Sequence, residues 1–195
     1  MDERLKKQMV FSLEMDKEKG IGRQTYILDA LRKENDAEHG WHLALMTMVL
    51  SEYSNEPIDV ARTMSMVVIH DIVEIDAGDT YAYDSVGNES KAEREQKAAD
   101  RIFNILPEDQ AEYFMNLWRE FEEGATPEAK FATAIDSVQP LMLNDASNGL
   151  AWREHQVEAT KVIARAEKKI RPGSEKLYQM VLDIIEKNVE KKNLL

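Results

Sequence analysis

The sequence predicts an all-α fold, a single bundle-like domain of about eight helices. Apolar residues recur at helical spacing along nearly the whole chain, and β-branched alternation with hairpin turn signals is almost absent. The breaks between periodic runs carry Gly, Pro, Asn, Ser or Thr, as helix ends require. With 195 residues, 43% of them hydrophobic and 32% charged, the chain is long enough for one substantial core. Its charges are too mixed in sign and too interleaved with apolar positions for disorder. One domain over 1–195 is expected, with a central region at about 23–140 and C-terminal helices at 151–193.

The first helix is expected from about Asp2 to Lys17, with Leu5, Met9 and Leu13 on one stripe, and Gly20-Ile-Gly22 breaks it. A short irregular stretch with Arg23, Tyr26 and Leu28 follows. Asp36 reads as an N-cap, which places His39 in the first turn of a helix continuing through Leu43, Met46 and Leu50 to about Tyr53. Pro57-Ile-Asp59 opens the next helix, whose apolar run Met64–Ile69 marks it as the central buried element. His70, Asp71 and Glu74 lie at its C-terminal end, where i,i+3 and i,i+4 spacing aims them at one region, and Ala77-Gly78-Asp79 ends it. The polar loop through Asp84-Ser-Val-Gly87-Asn88 has the length and place of a lid.

Ser90 to Leu106 reads as a charged surface helix, and Pro107 starts another carrying Met115, Trp118 and Phe121. Thr126-Pro127 is an N-cap followed by proline at the first helical position, and the helix carries Phe131, Ile135 and Asp136. Pro140 is expected to kink or end it within a turn or so. Asn148-Gly149 is a break. A helix from about Ala151 to Lys169 closes at Arg171-Pro-Gly173, and the last runs from Ser174 to about Lys192 with Leu177, Val181, Ile184 and Ile185 inward. The methionines Met46, Met48, Met64 and Met66 read as core filling.

Composition narrows the chemistry. A formal net charge of −12 argues against a nucleic-acid backbone or an anionic membrane surface as partner. A small phosphorylated substrate remains compatible, since a metal and a few arginines meet its charge locally. Zero cysteines remove disulfides, thiolate nucleophiles and Cys-ligated metal sites together, so any metal is held by N and O. No run approaches the roughly 18 apolar residues of a membrane span, and the start lacks a signal-peptide apolar core. The expected location is cytoplasmic.

His70-Asp71 at the end of the most apolar helix, with His39 upstream and Asp136 downstream, forms the ligand set of a borderline-to-hard divalent cation with open positions. An isolated carboxylate on a buried helix face costs several kcal/mol unless paired or metal-bound. Asp136 is the one acid within Phe131–Ile135 and Val138, so it poses the same problem. With few arginines on those faces, a cation is the economical partner.

Ala37-Glu38-His39, then His70-Asp71 with Glu74, Gly78-Asp79 and a distal Asp136, resemble the HD-domain phosphohydrolases, in the branch similar to bacterial 5'-deoxynucleotidases. The resemblance covers about Arg23 to Asp136. It implies an all-helical fold, one divalent metal ion (Mn, Co, Mg, Fe or similar) on His39, His70, Asp71 and Asp136, and a homodimer. Two positions depart from the pattern: Arg23 is followed by Gln24 rather than Trp, and Gly40 stands where Ser is frequent.

Glu74, about one turn beyond His70, is placed to orient water or shuttle a proton, and the resemblance implies that Asp79 positions the attacking water or protonates the departing 5'-oxygen. Arg23 suits phosphate or sugar contact, and Trp152 with Arg153 offers an aromatic face and a cation to a nucleotide. The expected activity is metal-dependent removal of phosphate from a nucleoside 5'-monophosphate or related small phosphate monoester. The alternatives are hydrolysis of a signalling nucleotide and a non-catalytic, metal-binding dimeric helical protein.

Overall fold

Helices begin where a short polar side chain takes up a free backbone N–H. In the computed structural model, which describes residues 2–83 and 89–195, Asp2, Asn35, Asp59, Thr126 and Ser174 do this. The order is α1 (Glu3–Met15), β1 (Gly22–Tyr26), β2 (Lys33–Asn35), α2 (Asp36–Leu50), α3 (Val60–Ile69), α4 (Glu74–Ala77), α5 (Lys91–Phe103), α6 (Glu108–Glu123), α7 (Pro127–Ala146), α8 (Leu150–Glu154), α9 (Ala159–Lys169) and α10 (Glu175–Glu190). Eight of the described helices have ten or more residues, as the periodicity predicts. None of the described helices is long and apolar enough to cross a membrane.

α3 lies against α2, α6 and α7, and α7 also meets α9 and α10, so α3 and α7 form the centre. Their inward side chains, Met66 and Val67 from α3 and Phe131, Ile135 and Val138 from α7, are fully buried together with Leu43 of α2. α2 and α7 carry His39 and Asp136, and α3 leads directly into the His70-Asp71 pair, so close packing of the core fixes the spacing of the polar groups set among it.

Several local expectations are corrected. Arg23 to Tyr26 is not irregular: β1 and β2 form an antiparallel hairpin, with Gly22 opposite Asn35 and Tyr26 opposite Lys33. Asn35, not Asp36, caps α2. Its side chain accepts from the Glu38 N–H at 3.0 Å while Glu38 accepts from the Asn35 N–H at 3.2 Å, a reciprocal capping box. That frees the Asp36 side chain to turn inward. In α1 the stripe Leu5, Met9 and Leu13 faces solvent and Phe11 is the buried residue.

Pro140 does not end α7, which continues to Ala146. Lacking an N–H, Pro140 leaves the Asp136 carbonyl without its usual helical donor. The stretch 151–169 is two helices, because Gln156 takes a left-handed conformation (φ 50°) and the Val157 N–H turns back to the Trp152 carbonyl at 3.0 Å. Ser90–Leu106 is half-buried rather than a surface helix, since Ala98, Ala99, Ile102 and Phe103 of α5 enter the core. Met48 is likewise exposed, unlike Met46 and Met66. The expected lid at 84–88 lies outside the described residues.

Candidate metal centre

The helix of α3 does not run on unbroken through His70. Residues His70–Val73 form a 3-10 turn, and α4 resumes at Glu74. The turn brings His70 Nε2 to 3.0 Å from Asp71 Oδ1 and 3.6 Å from Asp136 Oδ1. His39, in the first turns of α2, places Nε2 3.1 Å from Asp136 Oδ1 and 3.9 Å from Asp71 Oδ2. All four side chains expected to ligate a cation therefore meet in one place. One donor atom each from His39, His70 and Asp136 lie within 4.8 Å of one another.

The far side of each imidazole is tied down. His70 Nδ1 donates to the Val67 carbonyl at 3.0 Å, and His39 Nδ1 donates to Gln139 Oε1 at 3.2 Å. Gln139, wholly buried, is oriented in turn by donating to Glu34 Oε2 at 2.8 Å and to His42 Nδ1 at 3.2 Å. In the neutral ring protonated at Nδ1, each Nε2 would present a lone pair to a cation at the centre, the arrangement of a ligating histidine with its supporting acceptor. His70 Nε2 is buried and makes no hydrogen bond despite two carboxylates nearby. A buried, unpartnered ring nitrogen among carboxylate oxygens fits a divalent cation with N and O ligands.

Arg23 supplies part of the positive charge that the sequence reading assigned wholly to a metal. From β1 its guanidinium donates to Asp71 Oδ2 at 2.7 Å and Asp36 Oδ1 at 3.2 Å, and lies 3.5 Å from Glu34 Oε1. Burial opposes charge on Asp71, but His70 and Arg23 outweigh it and hold the carboxyl below its ordinary range. Burial also opposes charge on Asp136, where His39 and His70 prevail and hold it well below the usual value. His70 is the mirror image: burial disfavours its cation, and Asp71 with Asp136 overcome that and raise it well above the ordinary imidazole value.

Beyond Arg23 lies a second acidic group, Asp36, Asp71 and Glu74. Burial, then the Asp71, Asp36 and Asp79 carboxylates, push Glu74 up to about 10, and its Oε2 has no hydrogen-bond partner. Burial and Asp71 push Asp36 up to about 7 against Arg23. Asp79, just after Gly78 (φ 75°), is raised chiefly by burial.

Two clefts open on the centre, and Asp71, Asp136, Lys91 and Arg165 line both. The first, of about 150 Å³, has a polar end at Arg23, Glu74 and Asp79 and an apolar end at Leu141, Trp152, Val162 and Ile170. Tyr81 and Tyr83 also line it, their rings packed edge to face at 5.4 Å. The second lies beside His70, Phe121 and the last turns of α9.

The HD domain family matches residues 15–178, most of the chain. The chain belongs to the HD domain family. A crystal structure of a predicted metal-dependent phosphohydrolase from Magnetospirillum magnetotacticum superposes with a TM-score of 0.93 at 44% identity, over 98% of this chain and 95% of that one. Human 5'-deoxynucleotidase HDDC2 is 30% identical over 111 residues, 57% of this chain and 53% of that protein. The 5'-deoxynucleotidase hdd1 of Schizosaccharomyces pombe is 31% identical over 112 residues, 55% of each. This HD domain thus spans about half the length of the curated relatives it matches.

Of the other expected contacts, Arg23, Glu74, Asp79 and Trp152 border the first cleft, with Trp152 almost wholly buried. Arg153 is not brought there: its Nη1 reaches Asn193 Oδ1 at 2.7 Å and the Asn148 carbonyl, bracing the turn before α8. Glu34, Asp36 and Gln139 were missed by sequence reasoning. Gln139 carried a signal, since it lies one turn beyond Asp136 on the same buried helix; Glu34 carried none, because the hairpin went unseen. At Gly40 an added Cβ would stand 3.6 Å from the Val67 carbonyl, ordinary contact, so the departure from Ser alters no packing.

Proposed function

We propose that this HD domain is a metal-dependent phosphohydrolase that removes phosphate from a nucleoside 5'-monophosphate or a related small phosphate monoester. The observation that carries this reading is the convergence of His39, His70, Asp71 and Asp136 beside a buried carboxyl, Glu74, at the polar end of a cleft whose other end is apolar and aromatic. Those four side chains would hold one divalent ion such as Mn, Co, Mg or Fe. When bound, that ion supplies Lewis acidity toward a phosphoryl oxygen and acidifies water.

The protein's own groups do the rest. Glu74 orients the attacking water through its unpartnered oxygen. Asp79, whose burial favours the protonated form, gives a proton to the departing 5'-oxygen as the phosphorus–oxygen bond breaks. Arg23 holds Asp71 in place and offers its remaining N–H groups to the phosphate. Trp152, Tyr81 and Tyr83 form the wall against which a base or sugar packs. The named activity of the curated relatives supports the nucleotide class, and the expected partner chain is a second copy, giving a homodimer.

A panel of deoxy- and ribonucleoside 5'-monophosphates, assayed with Mn, Co and Mg, tests the reading. Phosphate release from at least one monophosphate, dependent on added metal, is the expected result. Release from none, with metal still bound, would show a non-catalytic metal-binding protein instead.

A further inference from the structure

The chain carries 37 acidic and 25 basic residues, so acids are available to pair nearly every cation. Arg165, Lys168 and Lys169 near the end of α9 nevertheless form no ion pair among the described residues, and all three line the second cleft. Arg165 and Lys169, one helical turn apart, are half-buried. Holding two like charges at i,i+4 is destabilising unless something anionic sits between them and relieves it. Lys169 shows the strain: burial and then Arg165 lower its ammonium below the ordinary lysine value, against the pull of Asp136.

Asp136 and Glu122 act on Lys169 only at a distance and do not outweigh its burial and the Arg165 charge, and no acid of the cleft forms an ion pair with α9 among the described residues. Glu95 is taken by Lys91 at 3.3 Å, while Glu122 and Glu123 make no ion pair with α9 among the described residues. His70, Asp71 and Asp136 line the same cleft, so an anion held there by α9 lies beside the candidate metal centre. Arg165 and Lys91 both line the first cleft as well, but Lys91 is paired with Glu95, so Arg165 is the shared cation that carries no ion pair among the described residues.

We propose that the second cleft is a binding site for the phosphate dianion, with Arg165 and Lys169 as its cationic contacts. The proposal rests on the phosphohydrolase reading and deepens it. The organic part of the substrate occupies the apolar first cleft, the phosphoryl group sits at the shared centre, and inorganic phosphate departs past α9. Guanidinium and ammonium donors suit this ligand because charge-assisted hydrogen bonds to phosphate oxygens are the strong ones.

Calorimetric titration of inorganic phosphate into the Mn-loaded protein tests this, comparing wild type with the double variant R165Q/K169Q. Phosphate affinity is expected to fall about tenfold or more, the scale of one or two lost charge-assisted bonds. Bound manganese should not change, the melting temperature should hold or rise slightly as the like-charge repulsion is removed, and the charge-preserving R165K/K169R should bind phosphate nearly as wild type does. Equal affinity in wild type and R165Q/K169Q, or no phosphate binding by wild type, would overturn the proposal. Should the double variant melt early, R165Q and K169Q are titrated singly against the same criterion. Monophosphate turnover by the wild type is followed alongside. Turnover with phosphate binding indifferent to residues 165 and 169 sinks this site alone, whereas phosphate binding that depends on them without any turnover sinks the hydrolase reading alone.

Discussion

At His39 and His70 the ring nitrogen facing the centre is fixed by the one facing away. Replacing His70 by Ala removes a donor outright, and elemental analysis should find the purified variant without its divalent metal; undiminished metal content would refute the ligand assignment. Gln139→Ala leaves the donor but frees the His39 ring to turn, so metal affinity should fall about 10–100-fold, as measured by competition with a chelator. Glu74→Ala should keep the metal and lose about a hundredfold or more in turnover. Glu74 also gives a pH prediction for the chelator-treated protein. Its folded pKa of about 10 lies above the ordinary value of 4.5, so between those limits the unfolded chain has released a proton that the folded chain still holds. Stability therefore declines as pH rises through that window. Glu74→Gln, neutral throughout, should escape the decline, melting a few degrees above wild type at pH 8 and close to it near pH 4.

Among the elements, the hairpin and the 3-10 turn were the least legible and matter most to the site. Gly22–Tyr26 and Lys33–Asn35 are polar strands with no apolar alternation, so nothing in their residues distinguishes them from loop, yet β1 carries Arg23 to Asp71. The long helices were legible because each buries one periodic face, and five of them begin at a capping side chain. Pro140 misled because the sequence cannot show how firmly packing on both sides holds α7 together. Gly173 is read best in the structure: a Cβ there would stand 2.3 Å from the Lys130 carbonyl, where the turn before α10 presses on α7. Gly173→Ala should cost about 1–3 kcal/mol in urea unfolding, with little change in the slope of the transition.

For the whole molecule, the four-residue constellation was readable because its members sit at the ends or on the buried faces of strongly periodic helices. Their supporting residues were not, since Glu34, Gln139 and His42 meet only through tertiary packing. The outer face of α2 is an equally tertiary fact: Trp41, Leu45, Met48 and Val49 are exposed along a single stripe. If the homodimer pairs through it, light scattering should give about twice 22.4 kDa for the wild type and close to that value for Trp41→Glu. A wild-type monomer would remove the dimer, and a dimeric Trp41→Glu would move it to another face. The tightened winding at His70–Val73 reaches further still. In a 3-10 turn residues three apart eclipse, whereas an α-helix offsets them by about 60°. Asp71 inside the turn and Glu74 just after it thus face one region, with a carboxylate oxygen of each within 4.8 Å of the other. Lengthening that segment by a single amino acid would swivel one carboxyl away from the other with every side chain still in place, parting the proposed cation ligand from the proposed water-orienting group by torsion alone.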